Sequence, residues 1–388
     1  MASGFTSDGL RQWRDVAESH VSDDKVPGLV TLVARGPEVY VAPIGTLSIG
    51  GKPVERDSLF RIASTTKPIT AATTLAIVHE GLLSLDEPVE RLLPEFAQPR
   101  VLAQVNGPLD ETVPVDRAIT VRDLLTFTYG FGMVLDMFMS PEPWPIVAAA
   151  NDAELGTFGP PAPGKQPDAD EWMKRMGALP LVTQPGERWL YNAAAQVLGV
   201  LCARAAGTSY DEVVRTRITE PIGMRDTAFF TRNTERLATA YQSTPEGLVA
   251  NDPPDGAWSQ PPMFADGAGG LVSTVDDLLA FARMLLGGGE RVMSADLARQ
   301  MTSDQLTPSQ RAGCEAFLGD RSWGFGQAVA VSGPREGAFG WDGGLGTSWL
   351  VDPKQDLVVI VLTQRMWEMA LPPAVHTEIQ DAAYAALA

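Results

Sequence analysis

The chain is 388 residues long with 45% hydrophobic and 20% charged residues, enough to bury a sizeable core as two domains or as one large, elaborated module. Its 37 glycines and 30 prolines, in an otherwise ordinary composition, predict many ordered turns and speak against a disordered polymer. A formal net charge of -18 argues against a nucleic-acid partner, which needs a basic face to displace phosphate counterions, and likewise against an anionic membrane surface.

The opening stretch MASGFTSDGLRQW has no basic segment followed by an apolar one, so it does not read as a secretory signal. Residues 8 to 21 place Leu10, Trp13, Val16, Ala17 and Val21 at helical spacing and predict an amphipathic helix. VPGLVTLVARG (26–36) and EVYVAPIGTLSIGG (38–51) read as two β-strands joined by a Gly-Pro turn. After SLFRIASTTKP, apolar residues recur at Ile69, Ala72, Leu75, Val78 and Leu82, a helix stripe that ends near Gly81. Between about 100 and 175 the chain is rich in Pro, Gly, Met and Trp, which predicts long ordered loops and short helices; a linker between independent domains would be more polar. Helical stripes return at 193–206, 210–219 and 275–286. Strands follow at SWGFGQAVAV, TSWLVDP and DLVVIVLTQ, and a helix over about 372–387 closes the chain. Strands at both ends around a helical middle predict one sheet completed by both termini, with a helical lobe inserted. No run of about 18 apolar residues is present to span a bilayer. Cys202 and Cys314 lack a second cysteine at metal-binding spacing and read as free thiols in a reducing compartment, so the expected location is cytoplasmic.

A serine hydroxyl becomes a useful nucleophile only with a base in hydrogen-bond reach. The three histidines, His20, His79 and His376, all fall on predicted helices outside any Gly-rich or strand-edge setting, and no G-x-S-x-G elbow exists, which speaks against a Ser-His-Asp triad. Ser64-Thr65-Thr66-Lys67 offers another arrangement, because residues three apart on a helical turn have Cβ atoms about 5 to 6 Å from each other. Pro68 is tolerated in a first helical turn, which puts Ser64 at the helix N-terminus, although proline disfavours α geometry at Lys67 itself. The free amides and positive dipole end there suit an oxyanion, and burial would lower the lysine pKa toward a neutral amine. Spacing alone leaves open that Ser64 is an N-cap and Lys67 a solvated side chain.

The stretch LFRIASTTKPITAATTLAIVHEGLLSLDEPVERLLPEF (59–96) resembles the active-site segment of the serine β-lactamase and penicillin-binding-protein superfamily. The blocks 119–132, 185–207, 221–230, 267–286 and 339–353 are similar to later segments of that family in the same order, so the resemblance covers most of the chain except 133–180 and 231–262. It implies a β-lactamase/transpeptidase-like α/β (α+β) fold in a single module. Residues 1–66 and 225–388 would form an α/β lobe with an antiparallel sheet flanked by helices, 67–224 a mainly helical lobe, and the site would lie between them. The resemblance further implies that Ser64 is acylated, that Lys67 is its general base and that Tyr191 shares the proton and serves the leaving group. No metal or cofactor is implied.

Two departures bear on the substrate. Relatives acting on β-lactams usually carry Tyr-x-Asn, whereas this chain reads Tyr191-Asn192-Ala193; where relatives have Lys-Thr-Gly or His-x-Gly, it has Trp341-Asp342-Gly343. The chain has six lysines and none replaces the missing cation locally, leaving Arg335 or Arg365 as candidates to fold in. Tryptophan followed by glycines resembles the family VIII carboxylesterases and their acyl-transferring relatives. An indole offers an apolar wall to a neutral acyl or alcohol group, where an ammonium would pair a carboxylate; Trp341 also suits plain core packing. Gly343 and Gly344 would let the strand backbone approach the substrate, and the Gly344 N-H is the candidate second oxyanion donor beside the Ser64 N-H. Trp341, Asp342, Gly343, Tyr129 and Phe138 are the candidate substrate-binding residues. The Met-rich run Met133, Met137, Phe138, Met139 and Trp144 either walls the acyl pocket or packs the helical lobe. The expected activity is cleavage of short-chain carboxylic esters, with acyl transfer to alcohols as an extension. The alternatives are a β-lactamase or D-Ala-D-Ala carboxypeptidase, and a non-catalytic penicillin-recognising module. The expected partner is a small-molecule ester, with oligomeric state open.

Overall fold

The computed structural model describes residues 4–368 and 372–388. Its principal helices are α1 (Ser7–Ser19), α2 (Thr66–His79), α3 (Ala193–Ala206), α4 (Val275–Leu286) and α5 (Ala374–Ala385). Seven strands, β1 (Gly28–Arg35), β2 (Glu38–Gly45), β3 (Arg321–Trp323), β4 (Ala328–Ala330), β5 (Phe339–Gly343), β6 (Thr347–Asp352) and β7 (Leu357–Thr363), form one antiparallel sheet in the order β2-β1-β7-β6-β5-β4-β3. The β1–β7 pairing, from Leu29 opposite Thr363 to Arg35 opposite Leu357, joins the two ends of the chain into that sheet.

Strand alternation divides the core. Leu29, Val33, Val359 and Val361 face Trp13 and Ala17 of α1 and Ile379 of α5, while Val30, Leu32, Ile360 and Leu362 face the larger core that holds α2 and α4. Helix α2 differs from the one-sided stripe expected of it. Every residue from Thr66 to Ile77 is buried, because α2 packs between α3 and the sheet. Two of its threonines satisfy their hydroxyls along the helix itself, Thr73 Oγ1 donating to the Ile69 carbonyl at 2.8 Å and Thr74 Oγ1 to the Thr70 carbonyl at 2.9 Å.

Four segments depart from the sequence pattern. SWGFGQAVAV is two strands and not one, since the chain turns between β3 and β4 where Gly324 N-H bonds the Gln327 carbonyl. Strand β5 has no apolar alternation to betray it, being Phe-Gly-Trp-Asp-Gly, and the hairpin Ala240–Thr244/Gly247–Asp252 is too polar and exposed to read as strand. The helical stripe at 210–219 is a short helix, Tyr210–Val214, continued by a π turn, Arg215–Thr219. Among the described residues no helix is long and apolar enough to cross a membrane.

Candidate active site

Ser64 is held by the residues just before it. The short strand Phe60–Arg61 pairs with Val272–Ser273, and buried Arg61 is clamped by Asp252, donating from Nε to Oδ2 at 2.8 Å, while its guanidinium lies 5.3 Å from the Trp258 ring centroid. The Ile62 carbonyl accepts the Thr347 hydroxyl at 2.9 Å. Between these anchors Ala63 adopts φ +43°, a left-handed conformation that costs a residue with a Cβ about 1–3 kcal/mol. The strain is absorbed in the 3₁₀ turn Ala63–Thr65, which delivers Ser64 to a cavity wall one turn ahead of α2. Strand β5 runs close beside this turn: a Cβ on Gly343 would lie 2.2 Å from the Ile62 carbonyl oxygen, so the approach requires glycine.

Lys67 projects from the first turn of α2, with Pro68 following inside the same turn. Only 1% exposed, it donates from Nζ to Ser64 Oγ at 2.8 Å and to the Ala268 carbonyl at 2.7 Å. Burial pulls its pKa down to about 7, against the pull of the Asp266 carboxylate, which raises it. Tyr191 is set by a bridge to Met133, whose N-H donates to the Tyr191 carbonyl at 2.8 Å, and by Asn192 at φ +84°, whose side chain donates to the Thr157 carbonyl at 2.8 Å. Its ring lies 4.6 Å from Lys67 Nζ, and its hydroxyl oxygen accepts the Trp341 indole N-H at 2.8 Å. Burial pushes the phenol pKa up; hydrogen bonding to Ser64 and Trp341 opposes the rise and buried Asp342 adds to it.

Ser64, Tyr191, Trp341 and Asp342 line a cavity of about 500 Å³ that also receives Gly344, Asp266, Arg321, Met133, Met139, Phe317 and Trp367, with Lys67 buried directly behind Ser64 and Tyr191. The larger cavity elsewhere, about 610 Å³ against Asp211, Arg215 and Phe229, has no serine, lysine, histidine or cysteine on its walls. Among the described residues no group of three His, Cys, Asp or Glu side chains could hold a metal ion.

Ser64, Lys67, Tyr191, Trp341, Asp342 and Gly344 therefore meet at one place. Gly344 leaves open space where its Cβ would be, and its amide plane is fixed by the Gly346 N-H, which bonds the Gly343 carbonyl at 2.9 Å. Gly343 is not on the cavity wall; it serves the close approach to Ile62, so the expectation that it faces substrate is corrected. Tyr129 is corrected too: it is 0% exposed, packs 6.0 Å from Phe96 and is absent from the cavity, because it belongs to the helical core. Phe138 falls in the short helix Leu135–Met139, and its side chain lies outside the described residues. Met133 and Met139 face the cavity, whereas Met137 belongs to the core and Trp144 packs against it.

Neither Arg335 nor Arg365 folds in. Arg335 pairs with Asp381, and Arg365 bonds Glu368 and the Lys25 carbonyl. The cation at the cavity is Arg321 at the start of β3, 5.3 Å from the Trp341 ring centroid and 3.7 Å from Asp342, whose other oxygen accepts the Ser348 hydroxyl at 2.7 Å. Arg321 and Asp266 escape a reading by motif. One stands twenty residues before Trp341 and reaches it only through the β5–β4–β3 pairing, and the other is a lone acid in a Gly-rich loop, where only its neighbours Gly267, Gly269 and Gly270 gave a signal.

The Beta-lactamase family matches residues 13–384. Protein Rv1367c of Mycobacterium tuberculosis (strain ATCC 25618 / H37Rv) is 37% identical over 369 residues, covering 89% of this chain and 88% of its own. Esterase EstB of Burkholderia gladioli is 31% identical over 396 residues, covering 95% and 94%. The solved structure of EstCE1, a hydrolase with promiscuous acyltransferase activity, superimposes with a TM-score of 0.82 at 24% identity, covering 97% of this chain and 98% of that one. That likeness establishes the β-lactamase/transpeptidase fold.

Proposed function

The chain belongs to the beta-lactamase family of serine hydrolases, and we propose that within it this protein cleaves neutral carboxylic esters with short acyl chains through an acyl-enzyme on Ser64. The proposed reaction follows from the contacts. Neutral Lys67 takes the Ser64 proton as Oγ forms a bond to the ester carbonyl carbon, and the N-H groups of Ser64 and Gly344 receive the oxyanion. Lys67 and Tyr191 then pass the proton to the departing alkoxide, which leaves as an alcohol. Water, or a second alcohol in the transfer reaction, attacks the acyl-enzyme and returns Ser64 to its starting form.

The observation that carries the ester reading is Trp341. Where relatives place an ammonium or imidazole, this indole donates its N-H to Tyr191 at 2.8 Å and lines the cavity without a charge of its own to offer a substrate carboxylate. The names of EstB and EstCE1 point the same way. Arg321 favours a second reading, attack on β-lactams or peptides that carry a carboxylate, although Asp342 lies against that guanidinium. Steady-state kinetics on a p-nitrophenyl ester series beside a chromogenic cephalosporin decide between them. The ester reading expects kcat/KM for the butyrate ester to exceed that for the cephalosporin by roughly 10³, about 4 kcal/mol of differential transition-state binding. The reverse order overturns it.

A further inference from the structure

Among the described residues Lys67 makes no ion pair, yet a buried acid stands one residue-length behind its acceptor. Nζ donates to the Ala268 carbonyl at 2.7 Å, and the Ala268 N-H donates to Asp266 Oδ1 at 2.7 Å. Asp266 Oδ2 accepts Gln196 Nε2 at 3.0 Å from α3 and Gln166 Nε2 at 3.3 Å from the loop before residue 168. Gln196 is itself locked by Thr157, whose hydroxyl donates to its Oε1 at 2.9 Å. Asp266 is only 5% exposed, and among the described residues Lys67 is the positive charge acting on it. A loop anchor alone does not require an acid: a neutral acceptor would serve the Ala268 N-H equally well. What an acid adds is charge: burial raises the Asp266 pKa, and the Ala268 and Gln196 N-H donors, the Lys67 charge and the Gln166 N-H oppose that rise.

The titratable groups around the pair come from three directions. Tyr191 faces Lys67 from the segment before α3, and Ser64 from the 3₁₀ turn. Tyr210 acts on Asp266 from beyond Thr70, to which its hydroxyl donates at 2.7 Å, and Thr70 in turn donates to the Gly267 carbonyl at 2.7 Å. None of these is a second cation, so the charge created on Lys67 during reaction has one buried counterpart.

We propose that Asp266 is a positioning residue for the base: as a carboxylate it fixes the loop carbonyl to which Lys67 donates and stabilises the ammonium formed when Lys67 takes the Ser64 proton. The inference rests on the acyl-enzyme reading above. In that step the proton moves from Oγ to Nζ, the Oγ–carbon bond forms, and Lys67 passes from neutral to cationic beside a fixed anion. An acid that stabilises a cationic base in this way is the logic of a hydrolase triad, here with lysine in the middle. Burial and Asp266 then oppose each other. The first keeps the amine free of its proton near neutrality, and the second keeps it basic enough to act.

The test is the pH dependence of Ser64 labelling by a fluorophosphonate, followed by intact mass on the full chain from pH 5 to 9, in the native protein and in Asp266→Asn. The proposal expects the labelling midpoint to fall by about one pH unit in Asp266→Asn and the plateau rate to drop roughly 10-fold. A labelled variant whose midpoint matches the native one overturns it, since a loop anchor would change the rate or the melting point without moving the titration. Native protein that takes no label overturns the acyl-enzyme reading instead. Should Asp266→Asn fail to fold, Asp266→Ser keeps an acceptor near the Ala268 N-H without the charge and is expected to lower the midpoint by a similar amount; no shift there overturns the proposal equally.

Discussion

On the floor of the cavity the reacting polar groups are all engaged: Lys67 with Ser64 and Ala268, Tyr191 with Trp341, Asp266 with three N-H donors. On the rim, Met139 is 72% exposed, and Pro160, Pro161 and Met366 present side chains that form no hydrogen bonds. The floor thus fixes proton positions to within a hydrogen-bond length, while these rim side chains offer only shape and apolar area. Rigid hydrogen-bonded groups discriminate by thousands; an apolar wall discriminates by one methylene at a time. Chemistry and substrate choice in this molecule should therefore separate when each region is changed.

The sharpest way to break that division is at the floor. Lys67→Ala is expected to lower kcat/KM on an aryl ester by about 10⁴-fold with KM little changed, measured at pH 8 beside a circular-dichroism melt. In the native protein kcat/KM should fall tenfold per pH unit below about 7, because only the neutral amine accepts the Ser64 proton and protonation removes it as pH drops. Tyr191→Phe should cost roughly 10²- to 10³-fold in kcat, with acylation rate as the readout. Trp341→Phe keeps the ring and deletes the N-H at the Tyr191 oxygen; about a 10-fold loss in kcat is expected, and the loss should grow with the pKa of the leaving alcohol. The smallest effect belongs to the rim. Met139→Ala should change kcat/KM for an acetyl ester by less than about threefold while flattening the dependence on acyl chain length, read from a series of p-nitrophenyl esters.

The same division governs what the sequence made legible. Ser64 and Lys67 sit three apart on one turn, and Tyr191 lies in a block that matches its family in order, so all three could be named from the chain alone. The β1–β7 core was equally readable, because its strands are near-continuous runs of buried apolar residues. Asp266 and Arg321 were not, since one enters the cavity from an irregular Gly-rich loop and the other through a strand pairing, and neither leaves a local period. Tyr129 misled for the opposite reason: it stands beside a motif in sequence, yet the peptide turns it into the core against Phe96. Strand β5 carries no apolar alternation, because glycine, tryptophan and aspartate fill four of its five positions, and it was legible only through the family resemblance; the close passage past Ile62 requires the glycine at 343.

The central claim is that Ser64 carries the acyl group. Intact mass after brief exposure to a fluorophosphonate, compared between the native protein and Ser64→Ala, tests it directly. The account predicts one stoichiometric adduct on the native protein, mapped by peptide digestion to Ser64, and none on the variant. An adduct that persists in Ser64→Ala, or a native protein that turns over esters without taking the label, would contradict it.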